Sequence, residues 1–225
     1  MYMKRIIYFI IFLAIFCACE DNGVMDGGLH EPRVDKTTLE YLQLNEKFDT
    51  VLILFDRANI LNELNRKNVT ACIPTDYSVA RFVKQIQTQK RKEQNDENLK
   101  YTFSDLMNDF ELYKDSMKMY LIEDQIIGRT ELENKSYLTK SLLGNDVELS
   151  LKKSPLYNEW LPNIGVELVH YKWVKNGLDP ENDEVDPMDK DVENVCQTGG
   201  IITTNGILHV LEDTHNLFFN KRPEE

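Results

Sequence analysis

The pattern of apolar and polar residues divides the chain into a helical part and a strand-rich part. Over residues 37–64, apolar side chains recur mostly at intervals of three or four, which indicates two or three short amphipathic helices. A short apolar run, Val69–Ile73, predicts a buried strand that ends at Pro74. Asp76 is the candidate cap of the helix predicted after this strand, and Ser104 is the candidate cap of a later helix.

The second half of the chain favours strands. The segment Gly144–Asp146 separates two apolar stretches and predicts a hairpin. Residues 166–174 alternate and are rich in β-branched and aromatic side chains, so they predict a strand. Within Ile201–Asp213, two apolar runs flank Asn205–Gly206, a pair that predicts a two-residue type I′ turn. Helices followed by strands predict an α+β fold in a single domain.

The N-terminus has the features of a secretory signal. Two cations precede an uncharged run of 14 residues, Ile6–Cys19, which is shorter than the roughly 20 residues that a helix needs to cross a bilayer. The end of this run, Phe16–Cys19, resembles the lipobox of bacterial lipoproteins, in which the cysteine after the cleavage site is acylated. The resemblance implies a lipoprotein signal peptide at residues 1–18 and attachment of lipid, such as palmitate, to Cys19. A plain cleaved signal and a short membrane anchor are the alternatives.

Residues 19–36 are polar and rich in acids and glycine, which is typical of a flexible acidic tether. Glu20, Asp21 and Asn22 directly follow the candidate lipid-bearing cysteine and resemble the surface-export signal of Bacteroidetes lipoproteins. This resemblance implies a lipid-anchored protein of the outer membrane that is exposed at the cell surface. A merely solvated tether is the alternative.

The charge of the chain restricts its partners. The formal net charge of -12 argues against a nucleic acid or an anionic lipid surface, because both are polyanions. The acidic stretch 178–194 offers hard oxygen ligands, and Asp183, Asp186 and Asp189 are weak candidates for a calcium site. The stretch lacks the residue order of a calcium-binding loop and contains two prolines, so a solvated loop is the favoured interpretation. We expect no cofactor.

Cys72 and Cys196 remain after removal of the signal peptide. An exported protein can keep a disulfide between them, whereas a buried free thiol at each position is the favoured alternative. The four histidines show no metal-ligand spacing, and the sequence contains no nucleophile elbow, phosphate loop or CxxC pair. A hydrolase would therefore lack a visible nucleophile and base.

Two motifs together resemble those of the fasciclin domain, a module of secreted and cell-surface proteins. The first is an apolar strand followed by Pro74, Thr75 and Asp76, and the second is an apolar strand followed by Asn205, Gly206 and His209. The resemblance spans residues 37–213 and leaves residues 214–225 as a tail. It implies a β-sheet wedge packed with several short helices, and it implies a structural role for His209. The chain has Tyr120–Leu121 where animal members have a Tyr-His pair linked to integrin contact, so integrin binding is not expected.

The fasciclin resemblance implies a non-catalytic adhesion or interaction lipoprotein that binds a surface protein or an extracellular glycan. An alternative is an accessory glycan-binding lipoprotein of an outer-membrane polysaccharide-uptake system, with Tyr157, Trp160 and Trp173 as candidate platforms for sugar rings. Alternation along the strand predicts that one of Tyr171 and Trp173 faces inward. A surface hydrolase is a third, disfavoured hypothesis. The sequence leaves the oligomeric state open.

Overall fold

The computed structural model describes residues 32–154, 166–180 and 185–220. Over these residues the chain is a mixed α+β structure, as the sequence predicts. Its α-helices are α1 (Thr38–Gln43), α2 (Asp49–Arg57), α3 (Asp76–Gln94), α4 (Phe103–Asp109) and α5 (Arg129–Leu132). Short 3-10 helices span Glu46–Phe48, Leu61–Asn65, Phe110–Leu112, Lys114–Tyr120 and Leu217–Asn220. The strands are β1 (Val69–Ile73), β2 (Leu121–Ile122), β3 (Tyr137–Lys140), β4 (Asp146–Lys153), β5 (Glu167–Val174), β6 (Val192–Ile202) and β7 (Gly206–Leu211).

The described strands form one seven-stranded sheet in the order β2-β1-β7-β6-β5-β4-β3. β1 and β7 run parallel to each other, and every other neighbouring pair is antiparallel. All residues of β1 and β7 are buried, which explains why both sequences are nearly continuous apolar runs. β3 and β4 form the hairpin predicted at Gly144–Asp146, and Gly144 has a φ of 92° in its turn.

The two edges of the sheet approach each other and nearly close it into a barrel. The backbone N–H of Leu142, just after β3, donates to the carbonyl oxygen of Leu121 in β2 at 2.7 Å. The side-chain amide of Gln125 donates to the hydroxyl of Thr139 at 2.7 Å. The contact between Leu142 and Leu121 satisfies backbone groups at edges that would otherwise be open to pairing with another chain.

The helices pack against the sheet and share its core. Thr37 caps α1, because its hydroxyl accepts from the N–H of Glu40 while the Glu40 carboxylate accepts from the N–H of Thr37. The cap of α4 is Thr102, not Ser104 as predicted, because Thr102 forms the equivalent reciprocal pair with Asp105. α4 ends at Asp109, and the chain then continues in 3-10 turns.

The folded unit continues past Asp213, where the motif pattern predicts the start of a tail. Leu217, Phe218 and Phe219 are buried in the core. The N–H of Phe218 donates to the hydroxyl of Tyr120 at 2.7 Å, so a central side chain of the domain holds this segment. The predicted boundary is wrong because a short aromatic run without periodicity gives no sign that it is buried. Over the described residues, no helix has both the length and the apolar character needed to span a membrane.

Motif residues and candidate binding surfaces

The side chain of Asn205 joins three segments of the chain. Its Oδ1 accepts from the N–H of Thr38 at 2.8 Å, and its Nδ2 donates to the carbonyl oxygens of Leu64 and Arg66 at 2.8 and 2.9 Å. Neither Asn205 nor Gly206 has a positive φ, so the predicted type I′ turn is wrong, because that turn requires a positive φ at both positions. The asparagine acts as a connector between the β6–β7 loop and the helical layer.

The close approach of another strand explains why residue 206 is a glycine. It is the partner of Val69 in the parallel pairing of β1 and β7. A Cβ atom at position 206 would lie 2.0 Å from the carbonyl oxygen of Val69, a distance at which backbone atoms would have to move. A glycine is therefore needed here because the two strands approach closely, and not because the backbone adopts a special angle.

Asp76 caps a helix other than its own. Its two carboxylate oxygens accept from the N–H groups of Thr50 and Val51 in the first turn of α2, at 3.0 and 2.9 Å. The prediction that Asp76 caps the helix following β1 is wrong, because that cap position belongs to Thr75 and the carboxylate of Asp76 is bound to α2. The hydroxyl of Thr75 donates to the Asp213 carboxylate at 2.8 Å. The first motif thus ties β1, α2 and the end of β7 together.

His209 is an internal connector in β7. It is fully buried, its Nδ1 accepts from the N–H of Gly200 at 3.1 Å, and its Nε2 lies 2.8 Å from the carbonyl oxygen of Ile127. Since Gly200 donates to Nδ1, the proton must reside on Nε2, which donates to Ile127. Burial lowers the pKa of His209 to about 4, so the ring is neutral at pH 7. Both ring nitrogens are occupied by backbone groups.

A β-bulge in β6 explains why a histidine stands at this position. Thr198 pairs with Val210 and Ile201 pairs with Leu208, so three steps along β6 match two steps along β7. The extra residue falls at Gly199–Gly200, where Gly200 has a φ of 79°. A bulge leaves a backbone N–H without a partner in the ladder, and His209 accepts that N–H. The glycine pair inside a strand is the sequence signal that could have revealed this feature.

Trp173 is not presented as a platform for sugar. Its residue exposure is 7 %, and its ring packs against Phe219 with centroids 6.3 Å apart. Tyr171 is also fully buried, so the expectation that only one of the two faces inward is wrong, because residues two apart on a strand share a face. The other two aromatic candidates, Tyr157 and Trp160, lie outside the described residues.

The described carboxylates of the acidic stretch are bound to nearby N–H groups. Asp186 accepts from the N–H of Met188 at 2.9 Å, and Asp189 accepts from the side-chain amide of Asn176 at 3.2 Å. Asp183 lies outside the described residues. Among the residues that the structure does describe, no three metal-ligating side chains cluster closely enough to hold a metal ion.

Asp179 and Asp191 hold the two ends of the same stretch together. The N–H of Asp191 donates to the Asp179 carboxylate at 2.9 Å, and the N–H of Asp179 donates to the Asp191 carboxylate at 3.1 Å. Asp191 also accepts from the N–H of Lys175 at 3.0 Å. β6 begins at Val192, so the loop predicted over residues 178–194 ends earlier than expected.

Cys72 and Cys196 are buried free thiols that lie on different sides of β7. Cys72 in β1 pairs with His209, and Cys196 in β6 pairs with Leu211. The two cysteines are two strand spacings apart, about 9–10 Å, and are also offset by two residues along β7, whereas a disulfide requires Cα atoms less than about 7 Å apart. Burial raises the pKa of both thiols well above the ordinary value, so neither is a nucleophile at pH 7.

A half-buried ionic network lies on the side of β4, β5 and β6 that faces away from the core. Lys172 contacts the carboxylate of Glu148 at 2.8 Å. Glu193 accepts from both His170 and Lys152 at 2.5 Å. The bond from His170 lowers the pKa of Glu193 to about 2. These ion pairs form a polar face of the sheet.

No protein-family model and no curated protein matches the chain. Among solved structures, the chain is similar to a FAS1 domain pair from the insect cell adhesion molecule fasciclin I, with a TM-score of 0.41 and 8% sequence identity. The match covers 80% of this chain and 46% of that one, so this chain spans just under half of the insect structure.

Proposed function

We propose that this protein is a lipid-anchored bacterial surface module that binds a protein or an extracellular glycan and has no catalytic activity. The signal sequence and Cys19 would attach it to the outer membrane, and residues 19–36 would hold the folded domain away from the lipid. The domain would then present its outer faces to partners in the surroundings of the cell.

One observation carries the non-catalytic part of this proposal. The reactive side chains of the two motifs are hydrogen-bonded inside the fold. His209 has both ring nitrogens bound to backbone groups, and Asp76 has both carboxylate oxygens bound to N–H groups. Thr75 donates its hydroxyl proton to Asp213. A catalytic base needs a free lone pair within reach of its substrate, and His209, which is buried with both ring nitrogens occupied, has none.

The anchoring part is tested by metabolic labelling of the full-length chain, expressed in a Bacteroidetes host, with an alkyne analogue of palmitate. We expect label in the wild-type protein and in Cys17→Ala, and no label in Cys19→Ala. The Cys17 variant is a matched control, because it removes a neighbouring cysteine from the same signal. Digestion of intact cells with protease should remove the domain. Label that persists in Cys19→Ala would contradict the anchor.

The binding part is tested with the same cells. Cells with the wild-type protein should adhere to surfaces coated with matrix proteins or glycans more strongly than cells with Cys19→Ala, which lack the surface-bound form. Purified protein should give no turnover above buffer on panels of esters and glycosides. Turnover that follows the protein through purification would overturn the non-catalytic assignment.

A further inference from the structure

One face of α3 forms a cationic groove on an acidic protein. The groove has a volume of about 600 Å³, and its lining contains three cations and no acidic residue, in a chain with a net charge of -12. The cations recur along the helix so that they share one face with neutral polar side chains. The lining residues are Arg81, Lys84, Gln85, Thr88, Gln89, Lys92 and Asn216.

Other cations of the same helix are used within the fold. Lys90 pairs with the Asp109 carboxylate at 3.2 Å, and the Arg91 guanidinium donates to the carbonyl oxygen of Leu99 at 2.8 Å. Lys84 and Lys92, in contrast, are exposed, and within the described part of the chain no carboxylate forms an ion pair with either.

Arg81 also belongs to the exposed face of the groove. Its guanidinium contacts the side-chain oxygen of Asn216 at 3.4 Å, which holds it beside the C-terminal segment. The helix dipole accounts for a cation at Lys92, in the last turn of α3, but it does not favour Arg81 or Lys84 in the first ten residues of the helix. Helix stability therefore does not explain the whole row of cations.

We propose that this groove binds a linear anionic glycan that carries carboxylate or sulfate groups. The cations would contact the anionic groups. Thr88 donates its hydroxyl proton to the carbonyl oxygen of Lys84 at 2.9 Å, and the side-chain amide of Gln89 donates to the Glu93 carboxylate at 2.8 Å, so their side-chain oxygens would accept from the sugar hydroxyls between the charges. The alternation of charged and neutral side chains suits a polymer whose charges are separated by hydroxyl groups. A nucleic acid has a much denser charge, and the net negative charge of this protein would repel it more strongly. This inference rests on the proposed binding function and names the class of partner.

Titration calorimetry with the full-length protein in detergent tests the inference. The probes are polygalacturonate, chondroitin sulfate, neutral dextran and double-stranded DNA. We expect both anionic glycans to bind, with affinity that falls as salt rises from about 50 to about 300 mM, and we expect no heat with neutral dextran. DNA should bind more weakly than either anionic glycan.

Two triple variants with the same net charge distinguish the effect of the groove on binding from the effect of the net charge. The first variant combines Arg81→Gln, Lys84→Gln and Lys92→Gln and should weaken binding by about tenfold or more. Each exposed ion pair between a cation and the glycan contributes a small amount, and the variant removes three of them. The control combines Lys67→Gln, Lys153→Gln and Lys190→Gln, three exposed lysines outside the groove, and should change affinity less than about threefold. Equal circular dichroism spectra and unfolding midpoints would verify that both variants fold.

Absence of binding to both anionic glycans, equal weakening in the two triple variants, or tighter binding to DNA would each overturn the inference. Palmitate labelling and cell adhesion do not depend on this groove being a glycan site. A failure of the glycan inference alone would therefore leave those two results intact, whereas a failure of the proposed function would abolish them.

Discussion

A Cβ atom on Gly206 would lie 2.0 Å from the carbonyl oxygen of Val69. Gly206→Ala must therefore separate β1 from β7 where the two strands begin, and we expect it to lower the free energy of unfolding by about 3 kcal/mol or more. Urea unfolding followed by circular dichroism measures this loss.

Gly144→Ala is the control for this substitution. Gly144 has a φ of 92°, and a Cβ atom added there would meet no other atom within 4 Å, so alanine should cost only about 1–2 kcal/mol of backbone strain. A smaller loss in Gly206→Ala than in Gly144→Ala would contradict the assignment of Gly206 to a close approach.

Local patterns in the sequence predict much of the fold, but they do not predict the partners of the motif residues. The strand at β1 and the hairpin at Gly144 depend on neighbours in sequence, and both are confirmed. The role of Gly206 depends on Val69, which is 137 residues away, and an Asn-Gly pair by itself favours a turn. The cap formed by Asp76 depends on α2 in the same way. Sequence spacing carries no information on such contacts.

Asp76→Ala should destabilise α2 although Asp76 lies in α3. The substitution removes two acceptors for N–H groups at the start of α2, and we expect a loss of about 2 kcal/mol in urea unfolding. Hydrogen exchange at Thr50 and Val51 should become faster. Asp56→Ala removes an exposed carboxylate from α2 and should stay within about 0.5 kcal/mol of wild type. Unchanged exchange at Thr50 and Val51 would show that Asp76 does not cap α2.

The positions of Cys72 and Cys196 on either side of β7 predict two unlinked thiols. In a soluble chain that starts at residue 20, Ellman's reagent should react slowly with the native protein and should titrate two thiols in guanidinium. Reducing agent should leave the unfolding midpoint unchanged, because there is no bridge to break. A midpoint that falls on reduction would contradict the strand geometry that separates them.

Trp173→Ala should affect stability rather than ligand binding. The ring is buried against Phe219, so its removal leaves a cavity and should cost about 3–5 kcal/mol in denaturant unfolding. Tyr77 is 58 % exposed, and Tyr77→Ala should remain within about 0.5 kcal/mol of wild type. Loss of glycan binding in Trp173→Ala with unchanged stability would restore the sugar-platform hypothesis for this residue.

Burial of His209 and His215 should make the protein less stable in mild acid. Burial lowers the pKa of His209 to about 4 and that of His215 to about 3, from an ordinary value of 6.5. As pH falls below about 6.5, the unfolded chain binds protons at both histidines and the folded chain does not. The free energy of unfolding should therefore fall with pH in this range, by up to about 1.4 kcal/mol per pH unit for each histidine.

His209→Gln isolates the share of one histidine in this pH dependence. The variant should be less stable than wild type at pH 7.5, because glutamine cannot meet both Gly200 and Ile127 with the geometry of the ring. The plot of its unfolding free energy against pH should nevertheless have a shallower slope. The difference should correspond to about one proton fewer taken up on unfolding, since the residue no longer titrates. Urea unfolding at intervals from about pH 5 to 7.5 measures this slope while most unfolded-state carboxylates remain ionised. Equal slopes in the two proteins would mean that His209 binds its proton as readily in the folded chain as in the unfolded one. That result would contradict the assignment of a neutral His209 ring that joins β6 to Ile127.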